Sequence, residues 1–414
     1  MLDHSTQKLI CVVIGASHAG INLAFALRKE GWEGAIIVID KDPELPYHRP
    51  PLSKTYLQNK EVNLLKSAES YTKENITLKL GITADSIDRD QKTITLSDGT
   101  VQAYNRLVLA TGARPLMPPI PGVALAKNVF PLRTAADVSG IRTAFEASLN
   151  KRVVIIGGGY IGLETAASIK KLGGTVTVLE RETRILARVT SPELSDFFMQ
   201  LHCTNGVSVL TNKNVTAIDY SNDVNTITCA DGSTYEADVI IVGVGIRVNT
   251  ELAKDAKLVV ENGILVDETA CTNDKDIYAI GDCTFHKNPH YDRFVRLESV
   301  QNAVDQAKVA AAAICGKEVI YNTIPWFWSD QFDVKLQIVG LSTGYTKLLV
   351  RTEATETTKL SLWYFKEDTL LAVDAINNPK AFVLGTKFIK DNSKIDFDKL
   401  VDATIDFKPA NLLV

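Results

Sequence analysis

Residues 151–181 read KRVVIIGGGYIGLETAASIKKLGGTVTVLER, and this stretch decides the fold. Arg152–Ile156 is β-branched after its first residue, which predicts a buried strand. Gly157, Gly159 and Gly162 follow in GxGxxG spacing, with Tyr160 and Ile161 between the last two glycines. A helix is predicted over 160–172, then a second strand, Thr175–Leu179, ending at Glu180. The first glycine permits a tight turn, the second lets backbone approach a pyrophosphate, and the third lets helix and strand pack closely. The helix N-terminus then faces the phosphates. Glu180 lies 18 residues beyond Gly162, where a carboxylate accepts from a ribose 2′-hydroxyl. That favours NAD over NADP, whose 2′-phosphate it would repel. Arg181 and Arg184 pull the other way, since arginine is the usual partner of a 2′-phosphate. A lone glycine motif is weak; flanked by strand, helix, strand and acid, it predicts a dinucleotide site.

Outward from that stretch, 414 residues predict two or three domains. A composition of 45% hydrophobic and 23% charged residues is that of a soluble globular protein. No apolar run approaches a membrane span, and the first ten residues show no export-signal core, so a cytoplasmic protein is expected, without membrane contact. A net charge of -4 without a long basic run argues against nucleic acid as a partner. The six cysteines form no CxxC or CxxxxC pair and the histidines no ligand spacing, so neither a dithiol centre nor a metal site is predicted.

The plan repeats nearer the start. Residues 9–14 read as an apolar strand, followed by Gly15-Ala16-Ser17-His18-Ala19-Gly20, in which Ser17 replaces the middle glycine. A helix over 19–30 and a strand over 35–39 ending at Asp40 complete the unit. Residues 91–113 (QKTITLSDGTVQAYNRLVLATGA) and 224–246 (VNTITCADGSTYEADVIIVGVGI) each read as a strand, a DG turn, a polar strand and a buried strand ending at glycines. Two copies of one nucleotide-binding domain are implied, the second inserted in the first. The first resumes with GILVDETACTNDKDIYAIGDC and a helix over 299–314. Two dinucleotide sites point to a flavoenzyme that takes a hydride from nicotinamide. From Pro325 the pattern alternates, with strands expected at 334–339, 348–351, 360–365 and 370–374. The fold class is thus α/β: two Rossmann-like domains plus a small α+β C-terminal domain ending in a polar helical tail. The expected bounds are 1–116 and 246–323 for FAD, 117–245 for NAD, and 324–414.

Five blocks together carry a family resemblance: LPYHRPPLSK (45–54), GGGYIGLE (157–164), YAIGDC (278–283), VRLESVQNA (295–303) and PWFWSDQ (325–331). In order and spacing they resemble bacterial oxygenase-coupled, FAD-dependent NADH:ferredoxin reductases across the whole chain. More distantly the chain is similar to apoptosis-inducing factor, which shares the PPLSK block. The resemblance implies a glutathione-reductase-like fold, with hydride transfer from NADH to FAD. Single electrons would then pass to a [2Fe–2S] ferredoxin or rubredoxin feeding a Rieske dioxygenase or cytochrome P450.

Carried over, the resemblance places Ala19 by the FAD pyrophosphate, Lys54 near the flavin ring and Ala84 at the adenine side. Arg133 and Asp282 would hold the middle of the cofactor. Val300 would offer its backbone to the flavin, and Trp328 would cover the ring edge. Gly15, Gly20, Arg49, Thr111 and Gly112 join the FAD candidates; Gly157, Gly159, Tyr160, Ile161, Gly162, Glu180 and Gly245 are those for NAD. Ser17 is one departure from the family pattern. The other is that Asp40 stands where the family has a small residue and Lys41 where it has an acid. Either Asp40 takes the ribose hydroxyls or the adenosine is held differently.

Lys54 and Glu164 are the expected catalytic pair. A cation near the flavin stabilises negative charge on its reduced form, and a carboxylate orients the cation. A purely structural ion pair, or two charges that never meet, are the alternatives. His18, His48 and Trp326 are lesser candidates, the alternatives being a bystander for His18, an ordinary loop histidine for His48 and a core residue for Trp326. Arg293, Arg296 and Lys335 are candidates for a basic patch that meets an acidic ferredoxin. An NADH oxidase or peroxidase would carry a redox cysteine near the flavin, and residues 41–54 contain none. A redox-controlled binding protein is the other rival.

Overall fold

The computed structural model describes residues 9–353 and 359–414. Residues 1–8, read above for an export signal, lie outside them. The chain divides into two compact units: Met1–Arg49, Asn63–Arg114 and Arg247–Pro325 form one, and Pro50–Val62, Pro115–Ile246 and Trp326–Val414 the other.

The first unit is built on a five-stranded parallel sheet, in the order Ile277–Ala279, Arg106–Leu109, Ile10–Ile14, Ala35–Asp40, Ile76–Leu80. Its central strands are apolar on both faces because both are covered; Val12, Val13, Val38, Leu107 and Val108 have no solvent exposure. Helix His18–Glu30 packs against helix Val300–Ile314, burying Leu23, Leu27, Ala307, Ala310 and Ala311 in one cluster. Each such leucine contributes about 2 kcal/mol. The first helix begins one residue earlier than its sequence suggests and ends at Gly31, whose φ of 101° closes it in the left-handed region. The 91–103 repeat becomes part of an antiparallel sheet of Ala84–Asp88, Thr93–Leu96 and Val101–Ala103.

The second unit repeats the parallel plan, in the order Ser208–Leu210, Thr175–Leu179, Arg152–Ile156, Val239–Val242, Val129–Phe130. Helix Tyr160–Lys171 crosses from the middle strand to its neighbour. Strands Val215–Ser221, Val224–Cys229 and Thr234–Ala237 make the matching antiparallel sheet.

The C-terminal residues of that unit form a five-stranded antiparallel sheet, in the order Trp326–Gln331, Val334–Gly340, Thr369–Ile376, Leu360–Lys366, Lys347–Thr352. The four strands expected from 334 onward are present, each one to three residues longer than expected. The tail departs from its reading as a polar helix. Helix Pro379–Lys390 lays Ala381, Leu384, Gly385 and Phe388 on the sheet. Two short helices, Phe397–Val401 and Pro409–Leu412, follow. The lysines that made the segment look polar occupy its outer face, while its apolar residues recur at helical spacing.

Candidate functional site

Each unit carries one glycine turn, and the two are built alike. Gly15 N–H donates to Ile39 O at 2.8 Å, as Gly157 N–H does to Leu179 O at 2.8 Å. Asp40 accepts from Ala16 N–H at 2.5 Å and from Asp42 N–H at 2.8 Å. Glu180 accepts from Gly158 N–H at 2.6 Å and from Glu182 N–H at 2.8 Å. Asp40 therefore holds in its turn the place Glu180 holds in the other, while Lys41 carries no carboxylate. A side chain on Gly20 would meet Gly15 O at 1.9 Å, and one on Gly162 would meet Gly157 O at 2.2 Å. Only glycine permits the helix to start this close to the strand.

The helix starts fit a phosphate. Helices at Ala135, Pro192, Val300 and Pro379 are capped by the side chains of Thr134, Ser191, Ser299 and Asn378. Ser17 and Gly159 make no such cap, and neither of their helices has an acid in its first turn. No capping side chain stands between either helix start and an anion. At Gly159 a Cβ would meet no atom within 4 Å, so the turn is open on that side.

The two arginines beside Glu180 are engaged elsewhere. Arg184 donates to Ser195 Oγ at 2.6 Å and to Ala187 O at 2.9 Å. Arg181 pairs with Glu182 at 2.9 Å.

In the second unit Lys54 and Glu164 meet. Lys54 Nζ donates to Glu164 Oε2 at 2.6 Å, and Ser53 Oγ donates to the same oxygen at 2.6 Å. Ser329 Oγ donates to Oε1 at 2.7 Å. Ser53 is itself anchored, its carbonyl accepting from Ser168 Oγ at 2.8 Å. Glu164 is buried, whereas the Lys54 side chain keeps 18% of its surface. The pair is thus a fixed cation on a carboxylate that accepts from Lys54, Ser53 and Ser329. Sequence reasoning named the pair but missed Ser53, Ser168 and Ser329.

The other candidates for the first unit lie as follows. Thr111 Oγ1 donates to Asn249 O at 2.8 Å, and Asn249 returns bonds to Thr111 O and Gly112 O. Gly281, with φ of 81°, donates its N–H to Gln306 Oε1 at 2.7 Å just before Asp282. Val300 is the first residue of its helix. Arg49 donates to Tyr47 Oη at 2.7 Å and pairs with Asp42 at 3.4 Å. Ala84 opens its strand, half-buried. Asn249 and Gln306 carried no motif that would have flagged them. His18 and His48 pack edge to face at 5.3 Å, and burial lowers the His48 pKa, helped by Lys66.

In the second unit, Arg133 precedes a capping box on Thr134 and Asp137. Gly245 has φ of 122° and accepts from Leu116 N–H at 3.0 Å. Tyr160 stacks on Phe327 at 5.0 Å, and burial holds its phenol far above the usual range. Ile161 is exposed. Trp328 stacks on Trp326 at 5.5 Å, and Trp326 reaches Phe382 at 5.9 Å. Of the basic candidates, Arg296 pairs with Glu298 at 2.5 Å, so its charge is already offset. Arg293 stands over the Tyr291 ring, and Lys335 is exposed.

The six thiols are unbonded, and burial pushes Cys11 up to about 12. Among the described residues no group of His, Cys, Asp and Glu could hold a metal ion, and no helix is long and apolar enough to cross a membrane.

Comparison with known proteins identifies the family. Residues 10–307 match the pyridine nucleotide-disulphide oxidoreductase family, and residues 326–411 match the reductase C-terminal domain. The chain is 41% identical to putidaredoxin reductase of Pseudomonas putida over 96% of its own length and 95% of that protein's. It is 38% identical to a rubredoxin-NAD(+) reductase of Ectopseudomonas oleovorans, over 89% of this chain and 96% of the other. The reductase in a crystal structure of a covalent putidaredoxin reductase–putidaredoxin complex superposes with a TM-score of 0.92, at 40% identity and 97% coverage of both chains. The chain accordingly belongs to the pyridine nucleotide-disulphide oxidoreductases that end in a reductase C-terminal domain, enzymes that work with FAD and a nicotinamide dinucleotide.

Proposed function

We propose that this enzyme is an NADH:ferredoxin oxidoreductase that delivers single electrons to a [2Fe–2S] ferredoxin or rubredoxin serving an oxygenase. The observation that carries this reading is the Lys54–Glu164 pair at 2.6 Å in a chain with no cysteine between residues 41 and 54. A peroxidase-type reductase needs a thiol there. The bound flavin supplies hydride acceptance and single-electron release.

The chain's own residues do the rest. Lys54, at the flavin ring by resemblance, offers a positive charge where negative charge develops, and Glu164 keeps it pointed. The uncapped helix starts at Ser17 and Gly159 bind one pyrophosphate each, with Asp40 and Glu180 accepting from the ribose hydroxyls. The engagement of Arg181 and Arg184 supports NADH over NADPH. Gly15, Ala19, Gly20, Arg49, Ala84, Thr111, Gly112, Arg133, Asp282, Val300 and Trp328 hold FAD. Gly157, Gly159, Tyr160, Ile161, Gly162 and Gly245 hold NAD. The FAD, NAD and C-terminal domains keep the bounds given above. Six unbonded thiols suit the reducing cytoplasm.

The test is anaerobic stopped flow of the FAD-loaded protein, first with NADH and then with oxidised [2Fe–2S] ferredoxin. Fast bleaching followed by fast ferredoxin reduction is expected. Bleaching without onward transfer would turn the reading toward a peroxidase or a redox-controlled binding protein. Bleaching by NADPH alone would overturn the role given to Glu180.

A further inference from the structure

Strand Trp326–Gln331 presents its residues alternately to two sides. Phe327, Ser329 and Gln331 share the side that meets the nucleotide-binding part of the unit. Phe327 lies on Tyr160, Ser329 on Glu164 and Gln331 on His202. His202 and Gln331 join at 2.8 Å, Gln331 Nε2 donates to Ser329 Oγ at 3.1 Å, and Ser329 Oγ donates to Glu164 Oε1 at 2.7 Å. His202, Gln331 and Ser329 have no solvent exposure, and Glu164 has 4%.

The direction of this line follows from its end. A carboxylate only accepts, so the single proton of Ser329 goes to Glu164. Ser329 must then accept, which takes the Gln331 NH2 and leaves the Gln331 carbonyl to accept in turn. His202 therefore carries its proton on Nε2. Burial lowers the His202 pKa and keeps the ring neutral, consistent with that tautomer. Every donor points toward the carboxylate, and aligned bonds of this kind polarise one another.

We infer that Ser329, held by Gln331 and His202, is a positioning residue for hydride transfer: it fixes one oxygen of Glu164 so that the other holds Lys54 in place. This rests on the role proposed for Lys54. Without the Ser329 hydroxyl, Oε1 is a buried acceptor with no donor, and the carboxylate gains freedom to rotate away from Lys54.

The test compares Ser329→Ala, Ser329→Thr and Gln331→Leu with Lys54→Ala in the FAD-loaded protein. Ser329→Ala is expected to slow flavin reduction at saturating NADH roughly tenfold, with the KM for NADH little changed. It is also expected to lower the flavin midpoint potential measured by spectroelectrochemistry, because the cation is no longer held. Ser329→Thr restores both values, and Gln331→Leu shifts both by less than Ser329→Ala. A loss of melting temperature with rate and potential unchanged would overturn the inference, as would failure of threonine to restore them. Should Ser329→Ala not fold, an unchanged rate and potential in Gln331→Leu overturns it alone. If Lys54→Ala itself changes neither quantity, the reading of Lys54 falls; if Lys54→Ala acts and Ser329→Ala does not, only the inference falls.

Discussion

The Tyr364 hydroxyl donates to the Asp374 carboxyl at 2.6 Å inside the C-terminal sheet. The two residues sit diagonally on adjacent strands, since Leu362 is the register partner of Asp374. Asp374 is almost wholly buried. Burial pushes its pKa up to about 7, against the opposing hydrogen bonds from Tyr364 and Thr190. The folded protein thus binds the proton more tightly than the unfolded chain, whose aspartates titrate near 4. Its contribution to stability is complete below about pH 4 and is lost as pH rises through about 7, at about 1.4 kcal/mol per pH unit. Asp374→Asn keeps an acceptor for Tyr364 and removes the titration. Its melting temperature, relative to the native protein, should rise between pH 5 and pH 8. A constant difference across that range would show that Asp374 does not titrate there.

The two glycine turns differ in what a side chain would meet. Gly159 has φ of −81° and open space beyond its Cα, and Ser17 already fills the equivalent place in the first turn. Gly159→Leu should therefore melt like the native protein while raising the KM for NADH roughly tenfold, because its side chain, bulkier than the serine of the first turn, enters the space proposed for the pyrophosphate. An unchanged KM would move the dinucleotide elsewhere. Gly20→Ala, with a backbone oxygen 1.9 Å from the new carbon, should instead fail to retain FAD or to fold.

Glu180 both anchors Gly158 and, in the proposed site, accepts from the ribose. Glu180→Ala should cut kcat/KM for NADH at least about tenfold and narrow the preference over NADPH. Steady-state kinetics with both nucleotides decides this, and equal losses with both would show that the acid serves only the loop.

Lys54→Ala should slow flavin reduction by NADH far more than it speeds FAD loss. Stopped-flow reduction and FAD release on dilution separate the two. An unaltered reduction rate would leave the Lys54–Glu164 pair a structural one.

Much of this was legible in the chain because it is local. A strand, a glycine turn, a helix and an acid all lie within about thirty residues, and each is set by short-range sterics. Spacing left Asp40 and Lys41 open as the residue at the adenosine ribose, and it does not show the bond that Asp40 takes from the Ala16 amide. The surroundings of Glu164 come from segments near residues 53, 164, 202 and 329. No window contains them, although the two-residue step from Ser329 to Gln331 does carry the signal of a shared strand face. Arg296 looked available because the sequence does not show which way Glu298 turns.

The first parallel sheet takes its edge strand, Ile277–Ala279, from far along the chain, beside Arg106–Leu109. During synthesis at about 5–20 residues per second, roughly ten to thirty seconds separate these two strands. Through that interval the nascent chain shows a bare, apolar strand edge to other proteins, and helix His18–Glu30 waits for Val300–Ile314 to cover it. A flavin site that includes Asp282 and Val300, as proposed above, is therefore complete only late in synthesis, after most of the chain has been made.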